Sequence, residues 1–338
     1  MDQKEFQTLV HTASFEGEPL QDSFEETHIS WIAFTTRYAL KIKKSVKLSF
    51  LDFSTLDLRK HYCKQELKLN QRFSSIYLQV LPVREYRGRW FLGGTEGVVR
   101  DYAVLMRKLD ASRRMDKMLQ ANQVEAQAIQ ALADEVATFH NKAQVIRKPF
   151  DLQMAQSLFN DIAGVSDFVK NGLGQSYANI IDASMQWSNS FLSSYHQYIQ
   201  DRIDQGYKRD LHGDLHAGNI FLYPQPVLFD CIEFDEAFRQ IDVLYEIAFL
   251  IMELELEGHT RWAAVFLEGY QAGLASKLSP EDHVLFNYYK CLRANIRAKV
   301  KAISLMDGPE GEASVEDLST IGNYLYLMNR YMQEGSAH

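Results

Sequence analysis

Between Thr27 and Leu109 the apolar positions fall mostly in short runs rich in β-branched and aromatic residues, with turn residues between them. This texture predicts strands over Ile29–Thr35, Tyr38–Lys43, Tyr77–Val83, Arg89–Leu92 and Val98–Leu109. Thr35-Thr36-Arg37 closes a hairpin between the first two, and the glycine-rich run from Gly93 to Gly97 punctuates the last two. One stretch breaks the pattern. Leu56–Phe73 places Leu58, Tyr62, Leu67, Leu69 and Phe73 at mixed helical spacing with charges between, so a helix interrupts the sheet.

After Leu109 the period lengthens. Val124–Gln144, Met154–Val169, Asn179–Gln205, Asp242–Glu257, Arg261–Leu274, Pro280–Ser304 and Val315–Met332 read as helices. Set among them is Tyr207–Glu233, where short apolar runs flank Gly, His, Asp and Pro. A loop with short strands that holds polar groups is the expected structure there. The expected fold is therefore α+β in two lobes, a sheet with one helix over residues 1–109 and a mainly helical lobe over 110–338.

Composition narrows the function classes. The chain has 338 residues, 46% apolar and 24% charged, enough for two lobes around a shared cleft. A net charge of −8 disfavours a large nucleic-acid surface, which needs a basic field to replace counterions on phosphate. No apolar run approaches the roughly 20 residues of a bilayer span, so a cytoplasmic location without membrane contact is expected. Cys63, Cys231 and Cys291 are widely spaced and form no CxxC pair, which points to reduced, buried thiols rather than a disulfide framework or zinc site. Oligomeric state is not legible.

The chemistry concentrates in Leu211-His212-Gly213-Asp214-Leu215-His216-Ala217-Gly218-Asn219-Ile220-Phe221-Leu222 and in Val227-Leu228-Phe229-Asp230. The form is His-x-Asp, an Asn five residues after the Asp, then an apolar run ending in a second Asp. Phosphoryl transfer needs a carboxylate that orients the attacking hydroxyl and takes its proton, together with oxygen ligands for Mg²⁺ on the nucleotide. Asp214 suits the first role. Asn219 and Asp230 suit the second.

This segment resembles the catalytic and metal-binding loops of the aminoglycoside phosphotransferase and choline kinase branch of the kinase-like superfamily, and its Asp-to-Asn spacing matches that of protein kinases. Glu26–Ser30, Tyr38–Lys44, Phe50–Leu56 and Glu66–Asn70 further resemble a bacterial aminoglycoside-phosphotransferase-like group, some members of which are fused to a P-loop kinase-like domain. The resemblance implies a strand Lys for the nucleotide phosphates and a helix Glu paired with it. Lys41 fits the first, with Lys43 on the same strand face as the alternative. Glu66 fits the second.

It also implies that the nucleotide base rests on Leu105–Leu109, with Met106 and Lys108 as binding residues. No GxGxxG precedes Lys41, so fewer backbone amides are expected at the phosphates, with Ser30 able to contribute a hydroxyl or amide. No P-loop string occurs. His212 and His216 are expected to shape the loop, and Asp242 or Glu246 to brace it. Arg293 and Arg297 lie with Lys301 on one helical face, as contacts to an anionic substrate or as surface charges paired with Glu253 and Glu255.

The expected activity is ATP-dependent transfer of the γ-phosphoryl group, with Mg²⁺, to a hydroxyl of a small molecule. The competing readings are a nucleotide-binding scaffold with little turnover, motivated by the missing glycines, and a kinase acting on protein.

Overall fold

A computed structural model describes residues 1–48, 51–274, 277–306 and 314–335; Phe50, which opens one of the resemblance segments, lies outside them. The described chain forms two compact units. One comprises Met1–Gln123 with His212–Asp214 and Gly218–Arg239, and the other comprises Val124–Leu211, Leu215–Ala217 and Gln240–His338. The boundary expected after Leu109 falls inside the first unit, which also takes in the segments bearing Asp214, Asn219 and Asp230. Backbone pairing accounts for this: Leu222 N–H donates to Arg113 C=O at 2.8 Å, and Arg114 bridges to Phe221.

The first unit is built on a six-stranded sheet in the spatial order Phe24–Glu26, Ser30–Phe34, Tyr38–Lys43, Val98–Arg107, Tyr77–Tyr86, Arg89–Leu92. Every neighbouring pair is antiparallel. Strand alternation divides the side chains. Trp31, Ala33, Leu40, Ile42, Ala103 and Leu105 face one side and pack with Phe6, Leu9 and Val10 of the helix Gln3–Thr12. Ala39, Val104 and Met106 face the other, against Cys63 of the helix Leu56–Asn70. Lys41 and Lys43 alternate with Leu40 and Ile42, so both lysines project towards the helix that carries Glu66.

Two features of this unit went unread in the sequence. The edge strand Phe24–Glu26 lacks a long apolar run. The N-terminal helix begins on a capping box, in which Asp2 accepts from Glu5 N–H and Glu5 accepts from Asp2 N–H, both at 2.9 Å.

The second unit is helical: Ala126–Lys142, Leu152–Asn160, Ser166–Leu173, Gln175–Asp204, Val243–Leu256, Thr260–Ala272, Pro280–Met306 and Val315–Gly335. The single helix expected over Met154–Val169 is corrected to two, separated by the 3₁₀ turn Asp161–Val165. Val243–Leu256 is buried nearly all round, as its largely apolar sequence requires. Arg202 anchors the start of that helix. Its guanidinium takes both oxygens of Asp242 at 2.8 Å, and Asp242 in turn accepts from Leu244 N–H at 2.8 Å as N-cap.

Candidate active site

Two short ladders shape the loop that carries the expected chemistry. Ile220–Phe221 pairs with Val227–Leu228, and Phe229 N–H donates to Asn219 C=O at 3.2 Å, so Asn219 and the residue before Asp230 are tied through their backbones. His212 holds the same loop from inside. It is fully buried, its Nε2–H donates to Phe229 C=O at 2.9 Å, and its Nδ1 accepts from Asp214 N–H at 3.3 Å. These partners assign the tautomer. His212 is thus a shaping residue with both nitrogens committed to the backbone, as its sequence position implied.

Asn219 reaches back to Asp214. Its Nδ2 donates to the Asp214 carbonyl and to Asp214 Oδ2, each at 3.1 Å. That orientation commits the amide nitrogen and turns the Oδ1 oxygen away as a remaining acceptor.

Across the sheet face lies a chain of five charges. Lys41 Nζ is 3.0 Å from Glu66 Oε1 and 2.5 Å from Asp230 Oδ1. Lys43 Nζ lies 2.6 Å from Glu66 Oε2 and also bonds to Glu233 Oε1. The order is Asp230, Lys41, Glu66, Lys43, Glu233, with alternating sign. Burial raises the Glu66 carboxyl, but Lys41 and Lys43 together outweigh it and hold that group below the usual carboxylate range. Burial lowers Lys41, and Asp230 and Glu66 outweigh that to leave it well above an ordinary lysine. Both groups of the pair are therefore held charged.

Asp230 sits in the left-handed region at φ 63°, a conformation that Asp tolerates better than most residues. Tyr77 Oη accepts its N–H at 2.9 Å, and Asn70 Oδ1 accepts the following N–H, of Cys231, at 2.9 Å. With about 40% of its side chain exposed, it is the most open carboxylate of the chain of charges.

The remaining expected residues divide. Lys41, Glu66, Asp214, Asn219 and Asp230 all belong to the first unit. Ser30 is wholly buried opposite Lys43, its N–H donating to Thr27 Oγ1 at 3.0 Å, while Ile29 N–H donates to the same oxygen at 3.3 Å. Lys108 Nζ donates to Gln21 at 2.8 Å, and Met106 is buried in the sheet. The N–H groups of Arg107 and Lys108 donate to Ile76 and Arg37.

Arg293, in the second unit, is buried rather than surface-displayed, with its guanidinium 3.9 Å from the Tyr245 ring centroid. Arg297 lies 5.6 Å from the Phe249 ring and 3.5 Å from Tyr324 Oη. Lys301 pairs with Asp317 at 2.5 Å, and Glu255 pairs with Lys290, so the expected row does not act as one surface. Asp242 binds Arg202, and Glu246 lies 2.8 Å from His140 Nε2.

Tyr77, Asn70 and Glu233 were missed. Glu233 alone left a signal, a carboxylate inside the apolar run Cys231-Ile232-Glu233-Phe234.

Comparison with solved structures bears on the fold. A choline/ethanolamine kinase family protein of Mesorhizobium loti superposes with a TM-score of 0.55 at 12% identity, covering 100% of both chains. The GDP complex of aminoglycoside 2'-phosphotransferase-IIIa gives 0.54 at 14% identity, over 99% of each. Plasmodium vivax ethanolamine kinase gives 0.50 at 8% identity, over 94% of this chain and 83% of its own. The protein shares the fold of these solved kinases and phosphotransferases.

More narrowly, it is 31% identical over 306 residues to the uncharacterized proteins Rv2004c of Mycobacterium tuberculosis and Mb2027c of Mycobacterium bovis. These matches cover 88% of this chain and 58% of each relative, so the chain spans less than two thirds of their length. No family model matches. Among the described residues no helix is long and apolar enough to cross a membrane.

Proposed function

We propose that the protein is a phosphotransferase that moves the γ-phosphoryl group of ATP, or another nucleoside triphosphate, to a hydroxyl of a small molecule. The observation that carries this reading is the ion-paired set Lys41–Glu66–Asp230, in the same unit as the hydrogen-bonded pair Asp214–Asn219. Lys41, rather than the wholly buried Lys43, is the group that meets the nucleotide phosphates, with Glu66 fixing its direction. Asp214 orients the acceptor hydroxyl and takes its proton as the new P–O bond forms, while the nucleoside diphosphate leaves with the bridging oxygen.

The donor set fits Mg²⁺. Asn219 Oδ1 and the Asp230 carboxylate are oxygen donors, the class this ion prefers, and the Asn219 nitrogen is already directed to Asp214. When bound, the ion neutralises charge on the transferring phosphoryl group. Asn219 Oδ1 and the Asp230 carboxylate would hold the ion, and Lys41, paired with Glu66, would face the phosphates.

The structural neighbours named for choline, ethanolamine and aminoglycoside support a small hydroxyl-bearing acceptor. A metabolite-library screen for ATP-dependent phosphorylation tests the reading, with Asp214→Asn as control. We expect a phosphorylated product with the wild type and near-complete loss in the variant; equal turnover in both would remove Asp214 from its role.

One observation favours a second reading, a nucleotide-binding scaffold without useful turnover: Thr27 occupies the amides of Ile29 and Ser30 in the turn before the Ser30–Phe34 strand. Tight ATP binding with no Asp214-dependent product would favour it.

A further inference from the structure

Lys43 and Glu233 take no part in the transfer just described. Their side chains are 0% and 4% exposed, too deep to touch a nucleotide or an acceptor. Their position is nevertheless specific. Lys43 is two residues from Lys41 on one strand, Glu233 is three residues beyond Asp230, and the two bond to each other while Lys43 also holds the second oxygen of Glu66. Each Glu66 oxygen therefore has its own lysine, Oε1 facing Lys41 and Oε2 facing Lys43.

The segment from Asp230 to Glu233 is consequently fastened to the sheet and the Glu66 helix by Asp230 N–H on Tyr77, Cys231 N–H on Asn70, the Asp230 carboxylate on Lys41 and the Glu233 carboxylate on Lys43. The first two hold backbone. The last two are ionic and both lead to Glu66, Asp230 through Lys41 on Oε1 and Glu233 through Lys43 on Oε2, so Glu233 ties the far end of the segment to the carboxylate that directs Lys41. A buried pair of this kind adds little net stability over apolar packing of the same volume, yet it is directional and tolerates few alternative arrangements. Asp230, held in a left-handed conformation that an L-residue adopts at a cost, is the group that gains from such a restraint.

We propose that Glu233, acting through Lys43, is a positioning residue that pre-sets Asp230 for the divalent ion and couples its placement to the Lys41–Glu66 pair. The inference rests on the phosphotransferase reading, and deepens it. Glu233→Gln keeps the shape of the side chain and removes the charge; Lys43→Met with Glu233→Leu removes both charges, so that no buried charge is left alone if the single variant fails to fold.

ATP binding is measured by calorimetry as a function of Mg²⁺ concentration, and Mn²⁺ binding by electron paramagnetic resonance, with near-ultraviolet circular dichroism to establish folding. Both variants should need about tenfold more Mg²⁺ for half-maximal ATP binding, the scale on which partners behind metal ligands act, while metal-free nucleotide binding stays at the wild-type level. A purely structural role would lower both kinds of binding together. Folded variants with the wild-type Mg²⁺ dependence, or with a parallel loss of metal-free binding, overturn the inference alone. A wild type that binds no ATP at any Mg²⁺ concentration overturns it together with the phosphotransferase reading.

Discussion

Gly213 lies between the loop-shaping His212 and the candidate base Asp214, and its replacement by alanine isolates the cost of crowding that loop. The backbone there has φ +87°, and an added Cβ would stand 2.7 Å from the Phe238 carbonyl oxygen, 3.2 Å from Ile232 Cδ1 and 3.3 Å from Arg239 Cγ. The carbonyl belongs to backbone and cannot swing aside. Gly88 supplies the control, because its φ is +76° and nothing lies within 4 Å of its added Cβ.

Both substitutions carry the left-handed strain of about 1–2 kcal/mol. Both recover about 0.4–1 kcal/mol from a stiffer unfolded chain. Gly213→Ala alone adds an overpacking cost of roughly 1–3 kcal/mol. The difference between the two variants is therefore about 1–3 kcal/mol, with strain and chain entropy cancelling in the comparison. Guanidinium unfolding of the two variants beside the wild type measures it. At temperatures where Gly213→Ala is folded, phosphoryl transfer should still fall, because Asp214 is the next residue. Equal stability of the two variants would refute the packing described at Gly213.

Two further outcomes follow from burial. Lys41 and Lys43 outweigh burial and hold the folded Glu66 carboxyl below its ordinary 4.5, at about 2, so its stabilising contribution is complete above about pH 4.5 and is lost as pH falls towards 2. Unfolding of wild type and Glu66→Gln between pH 3 and 7 should show a stability gap that is flat above about pH 4.5 and narrows as the pH falls from there; a gap that widens on acidification contradicts the pairing. Burial pushes the Cys63 thiol up to about 12, and all three cysteines are buried. A thiol reagent at pH 8 should therefore label none of them until denaturant is added, and rapid labelling of the native protein would contradict their placement.

Period-two alternation in Tyr38–Lys43 was enough to put Lys41 and Lys43 on one face, but could not say which lysine meets Glu66. Both do, because a carboxylate has two oxygens and the helix runs alongside that face. The spacing from His212 to Asp230 likewise carried the loop, since backbone pairing over so few residues is local. What depends on distant segments was not legible. Tyr77 and Asn70 reach the Asp230 loop from more than 150 residues away in sequence. Arg293 looked like part of a surface row, yet the rings of Tyr245 and Phe249 cover it. Ser30 reads as an open phosphate contact, but strand register sets it opposite Lys43 and buries it. The break in Met154–Val169 left only Gly164 as a sign, too weak to separate a 3₁₀ turn from a continuous helix.

The direct measurement of the central claim is calorimetric titration of ATP into wild type and Lys41→Met, with and without Mg²⁺. A charged hydrogen bond to phosphate contributes about 1.5–3 kcal/mol, so affinity in the presence of Mg²⁺ should fall roughly 10- to 100-fold in the variant. Identical affinities, or wild-type binding indifferent to Mg²⁺, would contradict the assignment of Lys41, Glu66, Asn219 and Asp230 to one nucleotide site.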